Sequence, residues 1–128
     1  ITQVDDVEAL LEASDVVSLH VHVTDETRGM VDESWFEQMK EDVTLVNTSR
    51  GEIVDEQALM TYLDANPGTY YATDVLADEV RSDDQNAFKQ WAIDSDQAVI
   101  TPHIAGMTRE GQMIAYQHAA TRLQEFFA

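Results

Sequence analysis

The chain has 128 residues and a formal net charge of −18, from 25 Asp plus Glu against 7 Lys plus Arg. With 44% hydrophobic residues it suits one domain with a real core rather than disorder, and with no cysteine it holds no disulfide, thiol nucleophile or cysteine-based zinc site. The acid excess argues against nucleic acid as a partner, because phosphate binding needs clustered Lys and Arg, and apolar runs of only a few residues give no membrane-crossing helix.

In chain order, Asp5 to Ala13 reads as a helix, with Val7, Leu10 and Leu11 sharing a face. Val16 to Val23 reads as a short β-branched strand, expected to be buried on both faces. Thr24 to Gly29 is a polar loop. Asp32 can cap a helix reaching Lys40, with Trp35, Phe36 and Met39 on one side. Val43 to Val46 is a second strand, followed by a tight polar turn from Asn47 to Gly51. Asp55 opens a helix to Leu63, with Ala58, Leu59 and Tyr62 inward, and Asn66-Pro67-Gly68 stops it. Thr69 to Val75 is a third strand. Leu76 to Asp96 is long, acidic and irregular, with a short helix near Ala87 to Trp91. Ala98 to Thr101 is a fourth strand. Thr108 to Phe127 is a last helix carrying Met113, Ile114, Tyr116, Leu123 and Phe127.

Strands alternating with helices, joined by connections this long, suit parallel pairing. The expected class is therefore α/β, a parallel sheet with flanking helices. Ligands in such sheets gather at the carboxyl ends of the strands. That rule points to four loops: His20–Thr24, Asn47–Gly51, Asp74–Glu79 and Thr101–Gly106.

Each loop carries a residue type that can do chemistry, and each has a plainer explanation. Arg50, at the end of an apolar strand, can clamp a carboxylate with two parallel hydrogen bonds; it can equally be a surface Arg paired with Glu52 or Asp55. His103 sits just past a strand, before Gly106, a residue that permits close backbone approach. It can shuttle protons near neutral pH, or simply cap and pack. Glu79 can partner a histidine and fix its tautomer, or be one more acid among 25. His20 and His22 share one side of an extended segment, but no third ligand has suitable spacing, so no metal site is expected.

Taken together the loops resemble a known family. Leu45-Val46-Asn47-Thr48-Ser49-Arg50-Gly51-Glu52-Ile53-Val54-Asp55-Glu56-Gln57-Ala58-Leu59 is similar to a signature of the D-isomer-specific 2-hydroxyacid dehydrogenases. So are Asp15-Val16-Val17-Ser18-Leu19-His20-Val21, followed by Glu26-Thr27-Arg28-Gly29, and Thr101-Pro102-His103-Ile104-Ala105-Gly106. The resemblance spans nearly the whole chain. It implies hydride transfer between NAD or NADP and a small 2-hydroxy acid or its 2-keto acid. By the same resemblance Arg50 holds the substrate's carboxylate and carbonyl, His103 is the acid/base, and Glu79 is its carboxylate partner. Asp74 matches the aspartate that contacts the nicotinamide amide. Val21, Thr48, Ser49 and Gly106, with Arg50 and His103, line the nicotinamide side of the cofactor. Members commonly form homodimers through this kind of domain, and with no signal-peptide pattern a cytoplasmic location is expected. The chain departs from the family pattern after Glu79, where Val80 replaces the usual proline and the loop to Asp96 differs.

The Gly-rich turn that binds the pyrophosphate in this family is not present: Gly29, Gly51, Gly68, Gly106 and Gly111 include no G-x-G pair. The chain thus resembles the second half of a Rossmann-type doubly wound domain, without the phosphate-binding half or the separate substrate domain. Beginning at Ile1, it is expected to be a truncation of a longer enzyme, inactive by itself. The competing reading is a non-catalytic binding or assembly module derived from the same fold. The charge has three readings: general acidity, a surface suited to high salt, or a docking face for a basic partner. The acids recur along most of the chain rather than in one block, and Lys is nearly absent, which favours the salt-adapted, halophilic surface.

Overall fold

The computed structural model describes residues 2–79 and 86–127. Ten segments of regular structure alternate along them: α1 (Val7–Ala13), β1 (Val16–Leu19), α2 (Glu33–Phe36), β2 (Thr44–Asn47), a 3-10 turn (Gly51–Ile53), α3 (Glu56–Ala65), β3 (Tyr70–Thr73), α4 (Ala87–Ile93), β4 (Ala98–Ile100) and α5 (Arg109–Phe127). The strands form one sheet in the order β1-β2-β3-β4, and every pair is parallel. All four carboxyl ends therefore open on the same edge, as expected from the crossover lengths.

Local chemistry sets the helix starts. The carboxylates of Asp6, Asp32 and Asp55 accept backbone N–H groups of the first turns of α1, α2 and α3, and the Asn86 side chain does the same for α4. The helix expected from Asp32 to Lys40 is shorter than the sequence suggests. Its regular part ends at Phe36, and turns carry the chain on so that Met39 also reaches the core.

The core lies between the sheet and α1 to α4, with Leu11, Val17, Leu19, Leu45, Ile53, Leu59, Leu63, Tyr71 and Phe88 buried. In α3 it is Leu59, Met60 and Leu63 that are buried, whereas Ala58 and Tyr62 pack at the margin. Strand β1 corrects an expectation. It is four residues long, and only Val17 and Leu19 face inward; Val16 is 61% exposed. Its alternation follows from the pleat, with one side on the helices and the other open. Helix α5 forms as the periodicity predicts, but none of its residues is buried, and Met113, Ile114, Tyr116, Leu123 and Phe127 are all exposed. Amphipathic spacing fixes a helix and not the surface that covers it. The expected departure of the loop from Val80 falls partly on residues 80–85, outside the described residues.

Candidate active site at the carboxyl edge of the sheet

The turn after β2 is organised by Asn47, which is fully buried. Its side chain donates to the Arg50 carbonyl (2.9 Å) and accepts from the Ser49 N–H (3.0 Å). The Ser49 hydroxyl reaches across to the Leu19 carbonyl at 2.8 Å, fastening this turn to the end of β1. Arg50 is thereby projected off the sheet edge. Its guanidinium donates to the Ser49 carbonyl at 2.6 Å, and among the described residues it forms no ion pair with Glu52 or Asp55.

The loop after β3 runs directly against this turn. A Cβ on Gly51 would collide with the backbone carbonyl carbon of Leu76 and the nitrogen of Ala77. Only glycine allows that approach. At Gly106, where the sequence suggested close backbone approach, an added Cβ would meet nothing within 4 Å. The expectation was placed on the wrong glycine, because spacing along the chain does not say which loops touch.

His103 follows β4 in a left-handed backbone conformation, φ 55°. The 101–105 segment is held by Asp74. Its carboxylate accepts the Thr101 hydroxyl, the Ile104 N–H (2.9 Å) and the Ala105 N–H (2.7 Å). Burial alone raises an acid's pKa, but these hydrogen bonds and the nearby His103 outweigh it and hold the Asp74 carboxyl below the ordinary range. The result is an imidazole whose Nδ1 lies 2.7 Å from Glu79 Oε2. The other Glu79 oxygen accepts the Leu76 N–H at 2.6 Å, so the carboxylate is fixed at both ends.

Arg50, Glu79 and His103 line one cavity of about 530 Å³. Arg28, Glu52 and Asp78 share that wall. A neighbouring cavity of about 590 Å³ is lined by Val21, Thr48 and Ser49, again with Arg28 and Arg50. His20 and His22 also border it, but β1 ends at Leu19, so the strand alternation invoked for them does not apply; His20 Nε2 lies 2.9 Å from the Ser18 hydroxyl. Thr48, Asp74 and Thr101 border a third, shallow cleft of about 120 Å³ with Val46, Ala72 and Ala105.

Residues 1–105 match the family described as D-isomer specific 2-hydroxyacid dehydrogenase, NAD binding domain. The chain belongs to this family. Over 108 residues it is 43% identical to D-3-phosphoglycerate dehydrogenase of Archaeoglobus fulgidus, covering 84% of this chain and 20% of that protein. It is 38% identical over 121 residues to glyoxylate reductase of Aeropyrum pernix, 93% of this chain and 34% of that one. Among solved structures, D-lactate dehydrogenase from Aquifex aeolicus complexed with NAD and lactic acid superposes with a TM-score of 0.78 at 31% identity, over 94% of this chain and 39% of that one. The chain thus spans well under half the length of these relatives.

The family's cofactor is NAD. The cleft of Val46, Ala72, Thr48 and Thr101 is nearly all apolar, which suits the face of a flat ring, while the Asp74 carboxylate at its edge is buried and already accepts from Thr101, Ile104 and Ala105. Among the described residues no glycine-rich turn stands ready for the phosphates. Sequence reasoning missed Asn47, Gly51 and Glu56, which hold the loops of this edge against one another. Asn47 and Gly51 carry a local signal, an amide and a glycine flanking the turn; Glu56 carries none.

Proposed function

We propose that this chain supplies the substrate-clamping and proton-transfer groups of an NAD(P)-dependent D-2-hydroxyacid dehydrogenase acting on a small 2-hydroxy or 2-keto acid. The observation that carries the reading is the convergence of Arg50, Glu79 and His103, from three separate loops, on one cavity with His103 Nδ1 held 2.7 Å from Glu79.

The division of labour follows from the hydrogen bonds. An ionised carboxylate only accepts, so the Glu79 contact places the proton of a neutral His103 on Nδ1. Nε2 is then the working nitrogen. It takes the hydroxyl proton during oxidation and, in the imidazolium form, returns one to the developing alkoxide during reduction. Arg50 offers a planar pair of N–H donors to the substrate carboxylate, and its charge stabilises the oxygen on which negative charge grows. When bound, the nicotinamide carries the hydride. Asp74 keeps the 101–105 segment in the conformation that aims His103.

The test is steady-state kinetics of the protein that carries this chain, with NADH or NADPH and short 2-keto acids. His103→Ala should lower kcat by about 100-fold or more, the usual worth of a placed acid/base, with KM changed little. Arg50→Ala should raise KM and lower kcat together, since it serves both the bound and the reacting state. A His103→Ala protein that keeps its kcat would sink the reading. The 128-residue polypeptide alone should show no turnover, because it presents no phosphate turn and leaves the cavity open to water.

A further inference from the structure

The peptide joining Leu76 and Ala77 is where the Arg50 turn and the Glu79 loop meet. On one side it lies against Gly51, so closely that a Cβ there has no room. Its neighbouring amides are taken by two different carboxylates. The Leu76 N–H donates to Glu79 Oε1 at 2.6 Å, and the Ala77 N–H donates to Glu56 Oε1 at 2.9 Å. The second Glu56 oxygen accepts from the Asn86 side chain at 2.9 Å, and that amide also reaches the Ala77 carbonyl at 3.3 Å. The Asn86 Oδ1 meanwhile accepts the Lys89 N–H at 2.7 Å and starts α4. Glu56 thus ties the first turn of α3 to the loop that carries Glu79, and through it to the entry of α4.

We propose that Glu56 is a positioning residue: it clamps the Leu76–Ala77 peptide against Gly51, and so fixes the Glu79 carboxylate that orients His103. Glu56 does not line the cavity of Arg50 and His103, so it touches neither substrate nor the reacting atoms. An acid at this place is costly unless it has a task. Burial raises its pKa above the ordinary value, and the negative charges of Asp78 and Glu52 raise it further, against the opposing hydrogen bonds from Ala77 and Asn86. A residue serving only as a helix-start charge could sit in water. Here the capping work is done by Asp55, whose carboxylate accepts the Gln57 and Ala58 N–H groups, leaving Glu56 free for the loop. Among the described residues Glu79 bonds the His103 ring, Asp74 lies close to it, and Arg28, Arg50, Glu52 and Asp78 line the same cavity.

The inference rests on the dehydrogenase reading, so its test has one arm that depends on activity and one that does not. In the protein carrying this chain, Glu56→Ala is compared with Glu56→Gln and Glu79→Gln. Nitrogen-15 NMR of the imidazoles reports whether His103 holds its proton on Nδ1. The expected result is a loss of the Nδ1–H tautomer in Glu56→Ala, in the same direction as Glu79→Gln, and at least partial recovery in Glu56→Gln, which keeps an acceptor for Ala77 but turns an amide N–H group toward the Asn86 amide. In parallel, kcat should fall by about tenfold or more in Glu56→Ala with KM unchanged within about twofold, the pattern of a displaced catalytic group. Should Glu56→Ala not fold, Glu56→Asp withdraws the same carboxylate by one methylene and is read by the same two measurements. An unchanged His103 tautomer in a folded Glu56 variant, with Glu79→Gln shifting it, overturns the proposal. If the parent protein reduces no 2-keto acid, the dehydrogenase reading fails, and the tautomer measurement still decides the role of Glu56.

Discussion

At the residue scale, Asp74 shows how an acid can be structural and still belong to the site. It is 4% exposed, and three donors from the 101–105 segment converge on its carboxylate. Its lowered pKa makes a prediction with a definite sign. A carboxyl held below its unfolded value contributes stability that is present above the unfolded pKa, near 3.9 for a free Asp, and is lost as pH falls through the folded value. Asp74→Asn removes that charge. The variant should be less stable than the parent at neutral pH, and the difference should narrow as pH falls below about 4. Chemical denaturation at several pH values measures it, and a gap that stays constant or widens on acidification would contradict the assignment. At neutral pH the same variant should lose activity, because the backbone conformation that gives His103 its positive φ is released.

At the element scale, the sheet is closed at one corner by a side chain that no local pattern singles out. Gln97 lies just before β4, and its amide nitrogen donates to the carbonyls of Leu63 (3.0 Å), Asn66 (2.9 Å) and Thr69 (3.0 Å). Two of these belong to the end of α3 and its C-cap, and each also accepts a backbone N–H, Leu63 from Asn66 at 3.2 Å and Asn66 from Thr69 at 3.0 Å. Gln97→Ala takes the additional donor from those two and the side-chain donor from the carbonyl of buried Thr69, and a buried acceptor left without a donor costs roughly 1–3 kcal/mol. Thermal unfolding should show a loss within about that range, with the site residues otherwise unaffected; a variant as stable as the parent would mean water replaces the amide at no cost.

The contrast with the rest of the fold explains what the sequence could tell. Helix starts at Asp32 and Asp55 were legible because a cap is chemistry within four residues, whereas the helix read from Asp5 by its periodicity is capped by Asp6. Parallel pairing was legible because strands separated by helices need long crossovers, whereas the strand order came only with the structure. Arg50, Glu79 and His103 were singled out by the family's motifs and the strand-end rule together, and the fold brings them to one cavity. Gln97, Glu56 and the Gly51 contact were not, because each links loops that lie 20 or more residues apart, and no local pattern records such contacts. The exposure of α5 was illegible for the same reason.

At the scale of the whole molecule, 25 acids against 7 basic residues leave most carboxylates without a cation to pair with. The few positive groups are not evenly spent. Arg28 and Arg50 both border one cavity, in a molecule of net charge −18. Two consequences follow from screening. The carboxylates repel one another in dilute buffer, which disfavours the compact state, and the Debye length contracts from about 10 Å at 0.1 M salt to about 3 Å at 1 M. The melting temperature should therefore rise steadily from dilute buffer to molar KCl, with most of the gain below about 1 M, where screening changes fastest. An equal osmolarity of sucrose separates screening from general solute exclusion, because sucrose stabilises without shielding charge. The second consequence concerns approach to the site. On the proposed function, an anionic 2-keto acid must cross a negative field to reach Arg50, so KM for it should fall as KCl is added, until competing chloride at Arg50 reverses the trend. A melting temperature indifferent to KCl, or a rise matched by sucrose, would remove salt adaptation as the reason for the acidic surface and leave the charge as ordinary solubility.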